Sequence, residues 1–319
     1  MPDDAVSYAG PVKVYVIHEN PDWFGPIAAA LAAAGVPYEQ WLLGEAAVDL
    51  AGVPPAGVFW SRMSASSHTR EHPFAKDQTR GVLAWLEAHG RRVVNGRRVL
   101  DLEMSKVEQL VALRAAGFDV PATIAVAGRR ELAAAARRLP APFISKHNQG
   151  GKGLGVALFR SHDEYEAYLA SPGYAAPVDG ITLLQEYLAA ARPQITRAEI
   201  VGGEFVYAIT ADTARGGFEL CPADACAVGA GPQASLFALR EGFDDPVIGR
   251  YEAFAARHGI EIAGFEFIET ADGRRVTYDV NTNTNYNPEI EAVAARSGPA
   301  SIAAYLKKAL LDNGEGGAR

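Results

Sequence analysis

At 319 residues, with 49% hydrophobic side chains and mixed charge, the chain is long enough for two or three packed units and reads as globular rather than disordered. Its 30 basic residues against 38 acidic ones leave a net charge of −8, which repels nucleic acid and anionic membrane surfaces unless a local basic patch overrides it, and no such patch is visible. The start, Met1-Pro-Asp-Asp, lacks the basic region of a secretory signal, and the Ala-rich run near Ile27 to Ala34 is too short to span a bilayer, so the expected location is the cytoplasm.

In chain order, Val12 to Ile17 reads as a buried strand and Pro21 to Ala34 as a helix stopped by Gly35. A strand at Gly57 to Trp60, a polar loop from Ser61 to His72 and a helix from about Lys76 to His89 follow. This βαβα order makes the first hundred residues a small α/β layer domain. Ser105-Lys-Val-Glu108 is a capping box that opens a helix ending near Gly117. Pro121 to Ala127 and Pro142 to Lys146 read as strands around an Ala-rich helix, Arg130 to Leu139. The glycine run Gln149 to Gly155 then leads to a strand at Val156 to Phe159, and Ser161-His-Asp-Glu164 caps the next helix. Because strands flank these glycines, they are neither a dinucleotide fingerprint nor a P-loop, both of which need a helix directly after them. Ile181 to Leu188 and the alternating run Ile195 to Ala211 are strands, and Pro246 to His258 is a helix stopped by Gly259. Ala300 to Leu311 is a closing helix, and the tail Gly314 to Arg319 is expected to be disordered. No internal repeat is present. Cys221 and Cys226 lack the clustered histidines that would complete a zinc site; a reduced pair, with Cys221 as a core thiol, is expected.

The chemistry concentrates near the C-terminus. Gly264-Phe-Glu266 and Tyr278-Asp-Val-Asn281 fall on adjacent strands, and alternation puts Arg275, Thr277, Asp279 and Asn281 on one face. Two carboxylates and an amide converging there make an oxygen-only site suited to Mg²⁺ and hence to ATP phosphates, with a merely solvated strand face as the alternative. Gln149, Gly150, Gly151, Gly153 and Gly155 fit a flap whose backbone N–H groups approach phosphate oxygens unobstructed, with Lys146 as a point charge below; an ordinary hairpin is the alternative. Lys106 at the first turn of a helix opposes the macrodipole, which an anion bound there would offset. The loop that follows the Gly57 to Trp60 strand carries Arg62, His68 and Arg70, where open α/β sheets present binding loops, and two arginines offer forks to a carboxylate; a solvated loop is the alternative. Asn283, Asn285, Tyr286 and Asn287 form a second candidate wall.

Taken in this order, the pieces resemble the ATP-grasp superfamily, most closely its RimK-like glutamate ligase branch, from about Val12 to about Pro288. The resemblance rests on Lys106, Lys146 with Gln149-Gly-Gly-Lys-Gly-Leu-Gly155, Leu184-Gln-Glu-Tyr-Leu188, Ile195-Thr-Arg197, Gly264-Phe-Glu266 and Asp279-Val-Asn281. It implies an α/β (α+β) ATP-grasp fold: an N-terminal pre-ATP-grasp substrate domain (1–98), a central subdomain with the flap (99–189) and a C-terminal subdomain with the Mg site (190–319). It further implies that Lys106 and Lys146 hold the α- and β-phosphates and that the Gln185, Glu186, Tyr187, Leu188 hinge supplies backbone hydrogen bonds to adenine. Glu266, Asp279 and Asn281 would hold two Mg²⁺, and Arg197 would neutralise the transferred phosphoryl group. The implied reaction joins a small-molecule carboxylate to an amine through an acyl phosphate, releasing ADP and phosphate. A kinase on the same fold, or a non-catalytic ATP-binding regulator, are the rivals, and a homo-oligomer is left open. Three departures stand out. Ile195 occupies the place of an acid that holds the ribose, Glu219-Leu-Cys221 replaces an Arg-Ser-Asn segment, and Asn281-Thr-Asn-Thr-Asn-Tyr-Asn287 replaces an Asn-Ala-Ser-Pro-Gly loop, so the likeness does not carry glutamate over as substrate.

Overall fold

The structure, a computed structural model, describes residues 12–44, 46–151, 153, 155–216 and 236–316. Cys221, Cys226 and the Glu219-Leu-Cys221 segment lie outside the described residues.

Lys13–His18 (β1), Tyr38–Leu42 (β2), Gly57–Ser61 (β3) and Arg92–Val94 (β4) form an all-parallel sheet in the order β2-β1-β3-β4. A parallel sheet is covered on both faces, so its inner strands read as continuous apolar runs. Val14 and Val16 pack with Phe24, Ile27 and Leu31, the last two on helix Gly25–Ala33 (α1), while Tyr15 and Ile17 pack with Val82, Leu83 and Leu86 of helix Ala75–Ala88 (α2). The helix expected from Pro21 opens instead with a separate 3-10 turn, Pro21–Trp23, because the Asn20 side chain caps the Asp22 N–H before α1 begins. The edge strands β2 and β4 carried no strong sequence signal. They are short and largely half-exposed, which leaves little apolar alternation to read.

Helices Arg97–Met104 (α3) and Lys106–Ala115 (α4) lead into the second unit. Ser105 caps α4 by accepting from the Glu108 N–H, but the expected box is only half made: Glu108 turns away to Arg98, 3.1 Å distant. In the second unit, Thr123–Ala127 (β5), Phe143–His147 (β6), Ala157–Phe159 (β7) and Ile181–Glu186 (β8) form an antiparallel sheet, β5-β8-β6-β7. Helices Leu132–Ala136 (α5) and His162–Ala170 (α6) back it. Phe143, Phe159, Tyr165 and Leu184 fill the space between sheet and helices.

The third unit is a five-stranded antiparallel sheet, β11-β10-β9-β12-β13, made of Gln194–Val201 (β9), Glu204–Asp212 (β10), Phe237–Leu239 (β11), Ile262–Glu269 (β12) and Arg275–Asn281 (β13). The long run from Ile195 is two strands, turned by Gly202 and Gly203, both at positive φ where a side chain would be strained. A short helix, Thr213–Gly216 (α7), follows β10. Ala198, Ile200, Phe265 and Phe267 pack on Tyr251 and Phe254 of helix Val247–His258 (α8) and on Leu110 and Leu113 of α4. After helix Pro288–Val293 (α9), the last helix, Gly298–Gly316 (α10), lays Ile302 and Leu306 against both Val14 and Val16 of β1 and Val201 of β9, so one apolar cluster joins the third unit to the first. This helix extends beyond the expected end at Leu311 into the tail expected to be disordered; residues 317–319 lie outside the described residues. Among the described residues no helix is long and apolar enough to cross a membrane.

Candidate active site

A cavity of about 650 Å³ lies where the three sheets and their loops meet. Alternation along β6 decides what enters it. Ser145 turns to Tyr165 of α6, so Ile144 and Lys146 face the other way and line the cavity beside Gln185 of β8, which pairs with Ile144 across the sheet. The hinge after β8 forms the next stretch of wall. Glu186 pairs with Ala122 through its N–H and its side chain, Tyr187 is 41% exposed, and the Leu188 N–H has no partner among the described residues. The chain expected to recognise adenine therefore borders the cavity with a backbone donor free.

The third sheet supplies the floor. Arg197 and Glu199 share a face of β9 opposite Glu266 and Gly264 of β12, in that register. Arg197 Nε donates to Glu199 Oε1 at 2.6 Å, and Nη1 lies 3.7 Å from Glu266 Oε1. This folded-back guanidinium passes over Gly264, where an added Cβ would overlap Nε and sit 2.9 Å from Cζ. Burial alone would lower the Arg197 pKa, but Glu199 and Glu266 outweigh it and raise it. Arg197 Nη2 is buried with no partner among the described residues, so one donor of the fork remains for an anion in the cavity.

On β13 the expected face is corrected. The ladder shifts register between Glu266 and Phe267, which pair with Asp279 and Thr277, so Tyr278 is an extra, bulged residue. Thr277 consequently turns to the Tyr251 hydroxyl on α8, 2.8 Å away, and Arg275 pairs with Asp245; neither joins Asp279 and Asn281. Tyr278 does instead, donating to Glu266 Oε2 at 2.8 Å, while Asn281 Nδ2 donates to Oε1 at 3.0 Å. Period-two reading could not find this, because a bulge leaves no compositional mark.

Lys106, at the first position of α4, reaches Asp279 Oδ1 at 2.6 Å. The anion expected at that helix start is thus a carboxylate of the protein itself. Burial would raise the Asp279 carboxyl, but Lys106 and Lys146 hold it below its ordinary value; the Glu266 carboxyl is raised by burial and by Asp279 against the pull of Arg197. Lys146 is 6% exposed; its Nζ forms no hydrogen bond or ion pair among the described residues, and burial, with Lys106 nearby, lowers its pKa to about 7. An unpaired buried ammonium beside an unfilled guanidinium donor fits a polyanion in this cavity.

The donors available to a cation are Glu266, Asp279 and Asn281, all oxygen, and no group of three His, Cys, Asp or Glu forms among the described residues. That set fits Mg²⁺, which shares its octahedron between few protein ligands and phosphate oxygens or water. Gly150, Gly151 and Gly153 line the cavity roof; Gln149 does not, being buried between Lys76 and Met104. At Gly155 an added Cβ would meet the His147 ring at 2.9 Å.

The N-terminal loop behaves differently from expectation. Ser64 and Ser66 line the cavity, as do Asn283 and Asn285, whereas Arg62, His68 and Arg70 do not. Arg62 is buried beneath the asparagine loop, with burial lowering its pKa to about 10, and Arg70 is paired with Glu19. Glu103 was not singled out from the sequence. Its carboxylate accepts from Ala65 N at 3.3 Å and from the Thr282 N–H and hydroxyl at 2.8 and 2.9 Å, so it ties the two loops together at the cavity edge. A helical acid with no motif around it gives no sequence signal.

Comparison with solved structures places this architecture. A RimK domain ATP-grasp protein from Sphaerobacter thermophilus superposes with a TM-score of 0.65 at 19% identity, over 92% of this chain and 99% of that one. The ATP-grasp ligase PsnB, complexed with a minimal precursor, gives 0.65 at 15% identity over 94% and 99%, and the D-cycloserine synthetase DcsG 0.61 at 18% over 93% and 99%. The chain has the RimK-like ATP-grasp fold. No family model and no curated protein matches it.

Proposed function

We propose that this protein is an ATP-dependent carboxylate–amine ligase that works through an acyl phosphate. The observation that carries the reading is the convergence of Lys106, Lys146 and Arg197 on one cavity with Glu266, Asp279 and Asn281, roofed by Gly150 and Gly151. A carboxylate oxygen attacks the γ-phosphorus and ADP leaves; an amine then attacks the acyl carbon, loses a proton, and phosphate leaves with the former carboxylate oxygen. Little covalent help from the protein is needed, so positioning and charge carry the rate. Lys146 and Lys106 hold phosphate oxygens, Arg197 offers its free Nη2 to the group in transfer, and the Leu188 N–H receives adenine. Glu266, Asp279 and Asn281 would hold Mg²⁺, whose charge neutralises the phosphate oxygens.

Neighbours of the same fold support this chemistry: PsnB has been seen with Mg and ADP, and both PsnB and MdnC with precursor peptides. A peptide-borne acid or amine is therefore as well supported as two free small molecules. The test is an ADP-release screen across pairs of acids and amines, with products read by mass. Release that requires both partners and yields an amide supports a ligase; a stable phosphorylated acid in the presence of every amine makes the protein a kinase instead.

A further inference from the structure

Arg62 and Arg70 stop one hydrogen bond short of the cavity, and what they leave there is neutral. Arg62, 1% exposed, donates through Nη2 to the Thr284 carbonyl at 3.2 Å and to Asn285 Oδ1 at 3.3 Å. An arginine offers donors only, so it fixes the Asn285 amide: Oδ1 is taken, and Nδ2 remains as a donor on a residue that lines the cavity. In the loop after β3, Arg70 Nη1 donates to Ser66 Oγ at 3.0 Å, which lies 2.9 Å from Ser64 Oγ; the latter also accepts from the Ser66 N–H. Of the two hydroxyl protons, one closes the serine pair and the other is left to donate. Ser64 and Ser66 are 6% and 2% exposed and both line the cavity, and among the described residues that donor has no other acceptor.

These two donors belong to one place. Glu103 bonds Ala65, between the serines, and Thr282, just before the asparagines, with a single carboxylate. Beside them Asn283 Oδ1 is buried without a partner among the described residues, an acceptor awaiting an N–H. Charge at this end is nearly balanced: Arg70 is matched by Glu19, and Glu103 sits opposite in sign to Arg62.

We propose that the free serine hydroxyl and Asn285 Nδ2 form a neutral donor pair for a carbonyl oxygen of the acid substrate, with Asn283 accepting the neighbouring N–H. The preferred acids then carry an amide close to the reacting carboxylate, as an N-acyl amino acid or a peptide end does, rather than a second carboxylate. This rests on the ligase reading for which end of the cavity holds phosphate.

The test is calorimetric titration of the protein, saturated with AMPPNP and Mg²⁺, using succinamate and N-acetylglycine against succinate, which is near-isosteric with both. The amide acids should bind about tenfold tighter: a second carboxylate can accept from the two donors, but it brings no N–H for Asn283 Oδ1 and adds a charge at an end where Arg70 is already paired, and a buried acceptor left facing another acceptor costs about that factor. Asn285→Asp keeps an acceptor for Arg62 but removes Nδ2, and should weaken the amide acids about threefold to tenfold; Ser64→Ala with Ser66→Ala should do the same by removing the other donor. AMPPNP affinity, measured in the same variants, reports whether the nucleotide half is intact. Succinate binding as tightly as the amides, no binding of either amide acid, or amide-acid affinity unmoved by Asn285→Asp would overturn the proposal. Amide acids that bind but never release ADP with any amine would fault the ligase reading and leave the subsite standing.

Discussion

Lys106 Nζ lies 2.6 Å from Asp279 Oδ1, joining the first turn of α4 to the end of β13 across 173 positions of sequence. Both side chains are largely buried, so each is the other's main compensation for lost water. Lys106→Met should destabilise the protein by about 3 kcal/mol, because it strands the carboxylate, and Asp279→Asn should destabilise it less. The double variant should lose clearly less than the sum of the two. Urea unfolding of all four proteins measures this coupling, and additive losses would mean the pair is not linked.

Activity should follow a different rule from stability at the same cluster. Glu266→Gln or Asp279→Asn removes a charge from the proposed Mg²⁺ site, and turnover should fall at least about a thousandfold, or about 4 kcal/mol of barrier. The Glu266 variant should unfold near the wild-type temperature: the Gln oxygen accepts from the Tyr278 hydroxyl, the Asn281 amide need only turn over to accept from the new N–H, and the repulsion from Asp279 is relieved. Near-normal turnover at saturating Mg²⁺ and ATP would remove these residues from the metal site.

Gly264 is required by a neighbour rather than by its own backbone. Its absent Cβ leaves the space through which Arg197 reaches Glu199. Gly264→Ala should therefore displace the guanidinium and lower kcat about tenfold to a hundredfold, the range for one misplaced charged donor, with little change in the KM for ATP. A KM effect without a kcat effect would place Arg197 on the ground-state nucleotide instead.

Lys146 should make nucleotide binding depend on pH. Its ammonium, lowered to about 7 by burial and by Lys106, is neutral in the folded protein across a window where the unfolded chain still carries the proton, up to the ordinary lysine value of 10.5. Between these values the unfolded state binds more protons, so this group's contribution to stability rises with pH. A bound triphosphate favours the charged form, so AMPPNP affinity should fall by up to about tenfold per pH unit above 7, with proton uptake on binding. Calorimetry at pH 7 and 9 in buffers of different ionisation heat reads both quantities. Lys146→Met should abolish the uptake, and pH-independent affinity in the wild type would contradict the account.

Much of this was legible because it is written in local pattern. The strands β6 and β12, the cap at Ser105 and the glycine run each follow from a few adjacent residues. What escaped the sequence is non-local. The bulge at Tyr278 shows only in how β13 pairs with β12, and the bond from Arg62 to Asn285 spans 223 positions, so an arginine expected at the substrate proved to stand behind an amide. Glu103 carries no motif, and its meaning comes from the two loops it ties. The edge strands β2 and β4 are fixed by pairing with inner strands more than by their own composition.

A carboxylate activated by phosphoryl transfer before an amine meets it gives one of its oxygens to phosphate. Once an acid and amine pair has been found by ADP release, the acid is supplied with ¹⁸O in both carboxylate oxygens and the inorganic phosphate is analysed by mass. An acyl phosphate predicts one ¹⁸O per phosphate released and one kept in the amide carbonyl. Phosphate free of label, with ADP still formed, would mean that water and not the acid receives the γ-phosphoryl group, and would contradict the account.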